Sequence, residues 1–492
     1  MSINPSQAHD CPTATPVDLS DPGRLQRARR AALLVRSTTQ HLSPLAVKKA
    51  LGREVTQLQF ARGLRRVCED LGATFLKYGQ VIASSPTLFG NEMSDEFRSC
   101  LDTGPMVPFD VVHASITSSL GRPVDEVFAE IDPVPLGRAS LAVVHKAVTK
   151  DGRTVAVKVL RPSIERVIAT DLALMQPLFD FLGRQLGPEM AGPLGEVLDG
   201  LRKQLSHELD LRNEALVMDY FRTLPSRAEV PLIIVPEPYH DLSSARVLTM
   251  EFLDGVPVDD LSRIEEMGVD PKPVVEQAVK AWFMTAIRGG IFHGDVHAGN
   301  ILLLRDGRIA MIDWGIVGRL DNDLHTMFRQ LIAFALGDES AWDDVATFFV
   351  ELYGPLARQQ LGIDEQVLIS MFKEQAQSVL TQPFGQVSLA DLLMLPQKEI
   401  ARARREEAAR AGEDASNSAK GRIGRYREFR KRRDASNGMD VPSLDHGMIL
   451  LGKQLAYFER YGKMYLSDVP LLNDPDFFTS LLTQPSLLTP GS

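Results

Sequence analysis

The chain has 492 residues, 44% of them hydrophobic and 24% charged, with a formal net charge of −10. That composition belongs to a globular chain of about two to four domain-sized units and excludes a fibrous or wholly disordered one. The acidic balance excludes nucleic acid as a bulk electrostatic partner.

The cysteines Cys11, Cys68 and Cys100 are widely spaced and odd in number. They fit neither a disulfide framework nor a zinc site and point to a reducing compartment. No apolar run approaches the ~18 residues of a membrane-spanning helix. The N-terminus carries Asp10, Asp18 and Asp21 and no hydrophobic core of a secretory signal. The expectation is a cytoplasmic protein whose membrane contacts are peripheral.

Residues 1–23, rich in Pro, Ser and Asp, read as a disordered tail. A helical N-terminal extension is expected over 24–121. It begins with a basic helix (Arg24, Arg27, Arg29, Arg30, Arg36) that suits either solvent or an anionic membrane surface. Leu64, Cys68, Leu71, Phe75, Tyr78 and Ile82 recur at spacings of three and four and predict one helix over 60–84. Lys77 and Gln80 lie on its opposite face, with Gly79 beside them; by periodicity alone they face solvent. Another helix is predicted from Pro108, ended by Gly121.

Residues 122–253 read as a sheet-bearing lobe with inserted helices. Val127 to Ile131 is a predicted strand. Leu136-Gly137-Arg138-Ala139-Ser140 stands where a kinase places its phosphate-covering loop, although it is no G-x-G-x-x-G. Ala142–Thr149 and Thr154–Leu160 flank an Asp-Gly turn and predict a hairpin. Its second strand buries a single lysine, Lys158, among apolar residues, which is costly unless the charge is paired. Helices are predicted at about 163–186 and over 196–222. In the latter, Glu214 falls on a stripe with Leu211, Val217, Met218 and Phe221, so a Lys158–Glu214 ion pair is predicted. The run Val247 to Gly255, with Met250 and Glu251, suits a hinge that holds a nucleotide base through its backbone.

Residues 254–395 read as the second lobe. An apolar helix over 271–289 leads into His293-Gly294-Asp295-Val296-His297-Ala298-Gly299-Asn300, then Ile301–Leu304, an Asp-Gly turn, and Ile309 to Gly315. The hairpin brings Asp295, Asn300 and Asp313 to one end. An Asp, an Asn five residues on and a second Asp before an aromatic-Gly pair form the apparatus of kinase-type phosphoryl transfer. There Asn300 and Asp313 hold Mg²⁺ against the phosphates of ATP or ADP, and Asp295 orients or deprotonates the acceptor. A lone Asp-x-Gly is common by chance; the whole string in this order is not. No Ala-Pro-Glu follows, so no peptide-docking platform is evident.

The C-terminal region, 396–492, is predicted to hold an exposed Ala-, Arg- and Glu-rich helix (397–415), a polar linker with the basic run Arg425 to Arg433, and an amphipathic helix at 446–465 that packs on the body. The basic run suits solvent or an anionic lipid surface.

With Lys77-Tyr78-Gly79-Gln80 upstream, residues of about 60–320 resemble the UbiB family of atypical kinase-like proteins, the aarF-domain kinases. Lys77-Tyr78-Gly79-Gln80 matches the family's K-x-G-Q motif, Glu208-Leu209-Asp210 its E-x-D motif, and Pro135 to Ser140 its alanine-rich loop. The resemblance implies an α+β, two-lobed kinase-like fold whose helical extension covers the active site. It implies that Lys77 and Gln80 face the nucleotide pocket, held by Glu208 and Asp210, and that Lys158 with Gly137, Arg138, Ala139 and Ser140 contacts nucleotide. It also implies Mg²⁺, membrane association, and a link to isoprenoid-quinone biosynthesis and lipid homeostasis, with lipid, quinone precursor or lipid-biosynthesis proteins as partners. Gly137 and Arg138 depart from the usual alanines, Val143 from a common glutamine, and Trp314 from phenylalanine. The expected activity is that of an atypical kinase or ATPase. The alternatives are a soluble small-molecule phosphotransferase, against which K-x-G-Q argues, and a nucleotide-gated scaffold.

Overall fold

The computed structural model describes residues 11–12, 15–83, 91–97, 106–186, 188–228, 233–356, 365–386, 446–470, 472 and 474–484. The expected exposed helix at 397–415 and the basic run Arg425 to Arg433 lie outside the described residues, as does Cys100.

The N-terminal extension is a set of helices: α1 (Arg24–Ala50), α2 (Gln57–Leu71), α3 (Ala73–Ala83), α4 (Asn91–Phe97) and α5 (Phe109–Leu120). The helix predicted over 60–84 is two. Gly72 sits between them at φ 71°, a left-handed conformation that ends α2 and that glycine adopts without strain. Gly121, at φ 69°, ends α5 as predicted. The tail expected to be disordered is not wholly so. Cys11 is buried, Val17 N–H bonds Ser206 O, and Asn213 bonds both the N–H and the C=O of Thr15, so this segment straps the later helices.

The short helix α6 (Val124–Val127) leads into β1 (Phe128–Arg138), β2 (Ala142–Thr149) and β3 (Thr154–Leu160). The β2–β3 hairpin forms with Val144 opposite Lys158 and Gly152 in its turn at φ 86°. β1 runs further than the sequence suggests: Gly137 and Arg138 pair with Val144 and Val143, so only Ala139 to Leu141 remain as loop. Two helices are inserted next, α7 (Ile164–Leu186) and α8 (Pro188–Glu208), then α9 (Leu211–Ala228). The single helix predicted over 196–222 is thus broken, at Leu209-Asp210, where the Asp210 carboxylate accepts the Arg212 N–H and caps α9. The strand β4 (Val247–Glu251) completes an antiparallel sheet of order β1-β2-β3-β4.

In the second lobe come β5 (Gly255–Pro257), α10 (Leu261–Met267) and α11 (Pro271–Gly289). α11 starts with an Asp270 cap and Pro at its first turn and ends at Gly290, φ 60°. The strands β6 (Ile291–His293), β7 (Ile301–Leu304), β8 (Ile309–Met311) and β9 (Val317–Arg319) form two small sheets, β5-β7-β8 and β6-β9. The helices α12 (Asn322–Ala335), α13 (Trp342–Leu356), α14 (Glu365–Thr381), α15 (His446–Tyr465) and α16 (Pro475–Thr483) surround them. One apolar core runs from Leu160 and Leu198 through Trp282, Phe292 and Phe349 to Phe458 and Phe478. The C-terminal helices therefore belong to the core of the second lobe. The architecture is the expected two-lobed α+β fold. Among the described residues no helix is long and apolar enough to cross a membrane.

Candidate active site

Strand β3 aims Lys158 down into the space between the lobes. Its ammonium donates to both oxygens of Glu214, each at 2.9 Å, and to Asp313 Oδ1 at 2.9 Å. Burial works against the charged lysine, but the carboxylates of Asp313 and Glu214 outweigh it and hold its pKa above the ordinary lysine value. Glu214 itself is pushed up by burial, with Asp313 adding to the rise against the pull of Lys158. One cation shared by two carboxylates leaves the site ready for a second cation.

Asp313 stands at φ 59°, a conformation uncommon for a residue with a side chain, at the end of the β7–β8 hairpin. The next residue explains what holds it there. Trp314 donates its backbone N–H to Glu214 Oε1 at 3.2 Å and its indole N–H to Met311 O at 2.8 Å. Its ring packs on Phe221 and His293, each centroid 4.4 Å away. Trp314 thus anchors the turn that carries Asp313 to α9.

Asp295 follows β6. Its N–H donates to His293 Nδ1 at 3.1 Å, while the other nitrogen of that ring reaches Ile312 O at 3.3 Å. A backbone N–H can only donate and a carbonyl only accept, so His293 is the neutral tautomer protonated on Nε2. Burial accordingly drops its pKa to about 4. Asn300 donates Nδ2 to Asp295 O at 3.0 Å, which leaves its amide oxygen as the atom offered to a cation. The Asp295 carboxylate is held well below the usual range despite burial, by Lys453, His297 and Lys77.

A polar cleft open to solvent joins these groups. Lys77, Gln80, Ala139, Ser140, Lys158, Glu208, Asp210, Glu214, Asp295 and Asp313 all line it. Lys77, placed in solvent by periodicity alone, is instead largely buried and pairs with Glu208 at 2.9 Å. Asp210 bonds the Arg212 guanidinium on the adjoining turn. Several expected residues stand elsewhere. Gly137 and Arg138 are strand residues that do not line the cleft, because β1 continues through them. Met250 and Glu251 do not line it either: Met250 is buried opposite Ala156, and Glu251 accepts the Glu237 N–H. Asn300 is buried, bonds the Asp295 carbonyl and does not line the cleft.

Sequence reasoning missed one contributor. Lys453 of α15 donates to Asp295 Oδ1 at 2.6 Å, and the adjacent Gln454 brackets the loop by accepting Val296 N–H at 2.8 Å and donating to Gly294 O at 2.7 Å. The signal was a lysine and a glutamine embedded among Leu450, Leu451, Leu455 and Phe458.

Asp313 on the cleft would supply a carboxylate and the buried Asn300 an amide oxygen, hard donors of the kind Mg²⁺ takes when phosphates and water complete its shell. Among the described residues no group of three His, Cys, Asp or Glu side chains stands ready for a metal.

The family model described as the ABC1 atypical kinase-like domain matches residues 99–345, half of the chain. An uncharacterised aarF domain-containing protein kinase of the Arabidopsis thaliana chloroplast is 36% identical over 295 residues, 59% of this chain and 54% of that protein. An uncharacterised Mycobacterium tuberculosis protein is 30% identical over 441 residues, 87% of this chain and 80% of its own. A probable protein kinase UbiB of Marinobacter nauticus is 35% identical over 291 residues, 56% and 52% of the two chains. The alignments with the plant and Marinobacter proteins therefore span about half of those proteins' length. With a family model across half of its residues and a relative aligned along most of both chains, the protein belongs to the ABC1 atypical kinase-like family, alongside proteins named aarF-domain and UbiB kinases.

Proposed function

We propose that this protein binds ATP with Mg²⁺ and transfers or hydrolyses its γ-phosphate, in the service of isoprenoid-quinone biosynthesis or lipid homeostasis at a membrane surface. The observation that carries the reading is the Lys158 ammonium bonded at once to Glu214 and Asp313, with Asp295 on the same cleft. Lys158 would hold the α- and β-phosphates, the loop at Ala139 and Ser140 would cover them, and Asp313 with Asn300 would hold Mg²⁺. The metal would supply charge neutralisation for the phosphates. An acceptor oxygen bonds to the γ-phosphorus as the bond to the β–γ bridging oxygen breaks. ADP leaves with that electron pair, and the acceptor proton passes by way of Asp295 to solvent. The low pKa of Asp295 suits an orienting acceptor of that proton more than a strong base, which a loose phosphoryl transition state does not require. Lys77 and Glu208 pair across the lining of the cleft and would regulate access.

The test is ADP release from MgATP, with and without anionic vesicles. Wild type should turn over and Asp313→Asn should lose Mg-dependent nucleotide binding, since it removes a metal ligand. Retained Mg-dependent binding in that variant would sink the assignment. Nucleotide binding without turnover under either condition favours the gated scaffold, a reading to which the buried Lys77–Glu208 pair lends weight.

A further inference from the structure

Helix α15 is separated from the His293-Gly294-Asp295 stretch by 158 residues of sequence, yet it grips three consecutive residues of it. Gln454, fully buried, forms two bonds to the backbone of Gly294 and Val296, in the manner of a pairing strand. Tyr461, seven residues further along the same face, donates its hydroxyl to Val296 O at 2.8 Å. Between these backbone clamps Lys453 meets the Asp295 carboxylate. The groups around Lys453 are Asp295, the Tyr457 ring at 5.9 Å, and Glu208.

The position of this lysine decides its role. Lys77 lies in the cleft wall, whereas Lys453 does not line the cleft, although its partner Asp295 and the neighbouring His297 do. Lys453 reaches the carboxylate from α15, a different element from the one that carries Lys77. A lysine that lines the cleft competes with substrate; one bonded to the carboxylate at 2.6 Å from a clamped helix fixes its rotamer. The second carboxylate oxygen, 4.0 Å from His297 Nε2, is the one left for a proton donor.

We propose that Lys453 is a positioning residue of the phosphoryl-transfer site, holding the Asp295 carboxylate in its working orientation, and that α15 is the wall on which that site is built. The proposal rests on the reading of the cleft given above. Loose phosphoryl transfer depends on placement more than on base strength, so losing the brace lowers turnover with little effect on nucleotide affinity. Lys453→Met keeps the apolar stem; Lys453→Arg keeps the cation.

The experiment measures kcat and KM for MgATP, nucleotide affinity, and thermal midpoint in wild type and both variants. We expect kcat to fall about tenfold or more in Lys453→Met, with KM and affinity within about threefold, and Lys453→Arg to recover much of the loss. A purely structural role would lower the midpoint without this kcat-against-KM split, and that result overturns the proposal. A faster Lys453→Met enzyme overturns it too, by making the lysine a lock. Should wild type bind nucleotide and never turn it over, the phosphotransferase reading fails first and takes this inference with it. Normal wild-type turnover with unchanged Lys453→Met defeats the inference alone.

Discussion

His293 shows how one side chain sets the site's response to acid. Its pKa of about 4, against an ordinary 6.5, comes from burial, and the bond that Nδ1 accepts from the Asp295 N–H needs the neutral ring. The unfolded imidazole takes up a proton as pH falls through 6.5, and the folded one resists until about 4. The stability His293 contributes is thus complete above 6.5 and is lost on acidification across that window, roughly 3 kcal/mol in all. Glu214 acts in the opposite sense: its raised pKa favours the folded state in acid and that contribution fades as pH rises. The two overlap, so the difference between wild type and His293→Gln isolates the histidine. Urea unfolding from pH 7 down to 4.5 should show the wild-type advantage shrinking, and a gap that stays constant with pH would refute the neutral-ring account. At this scale the sequence was legible where a charge interrupts an apolar pattern. Lys158 in a strand and Glu214 in a helical stripe had to be paired, and they are paired with each other. Lys453 interrupts an apolar helix in the same way. Its partner could not be named, because periodicity says which face packs and not what it packs against.

At the scale of elements, the hairpins and the helices bounded by Gly121 and Gly290 follow their local signals, since a turn or a stop is written in two or three adjacent residues. The two helix breaks were hidden for a related reason. Apolar spacing continues in phase through Gly72 and through Leu209-Asp210, and only the backbone conformation reveals the interruption. Both breaks matter to the cleft. The first turns α3 so that Lys77 points inward; the second ends α8 at Glu208, the partner of Lys77, and starts α9 just before Glu214. The ammonium of Lys77 lies close enough to Asp295 and Asp313 to lower both carboxylates. It therefore opposes a divalent cation at the same place by like-charge repulsion. Lys77→Ala should raise Mg-dependent ADP release by about tenfold. Identical rates with and without the lysine would show that the α3–α8 strut does not restrain the site.

Across the whole molecule, Arg30 is one of the ties that hold the helical extension on the first lobe, beside the Lys77–Glu208 pair. Arg30 of α1 reaches Asp171 of α7 at 2.5 and 2.9 Å, the Leu71 carbonyl at the end of α2 at 2.5 Å, and the Phe75 ring of α3 at 5.9 Å. It thereby ties three helices of the extension to the helical insert of the first lobe. Asp171 is 1% exposed, and burial raises its pKa even with the guanidinium against it. The basic residues of this helix were read from sequence as a surface feature; Arg30 differs from its neighbours because its carboxylate partner is 141 residues away in an insert the sequence could not dock. Arg30→Ala would strand a buried carboxylate, a change worth roughly 3–5 kcal/mol. Adding Asp171→Leu to that variant removes the stranded charge and should restore much of the loss, because an apolar pair tolerates burial where a lone carboxylate does not. Chemical denaturation of the single and double variants checks both steps. A loss below about 1 kcal/mol in Arg30→Ala would place the pair among ordinary surface bridges and leave the docking of the extension to its apolar contacts. If the full loss appears, α3 and its Lys77 depend on a pin outside the cleft, and stability of the extension and access to the nucleotide site become one property of the fold.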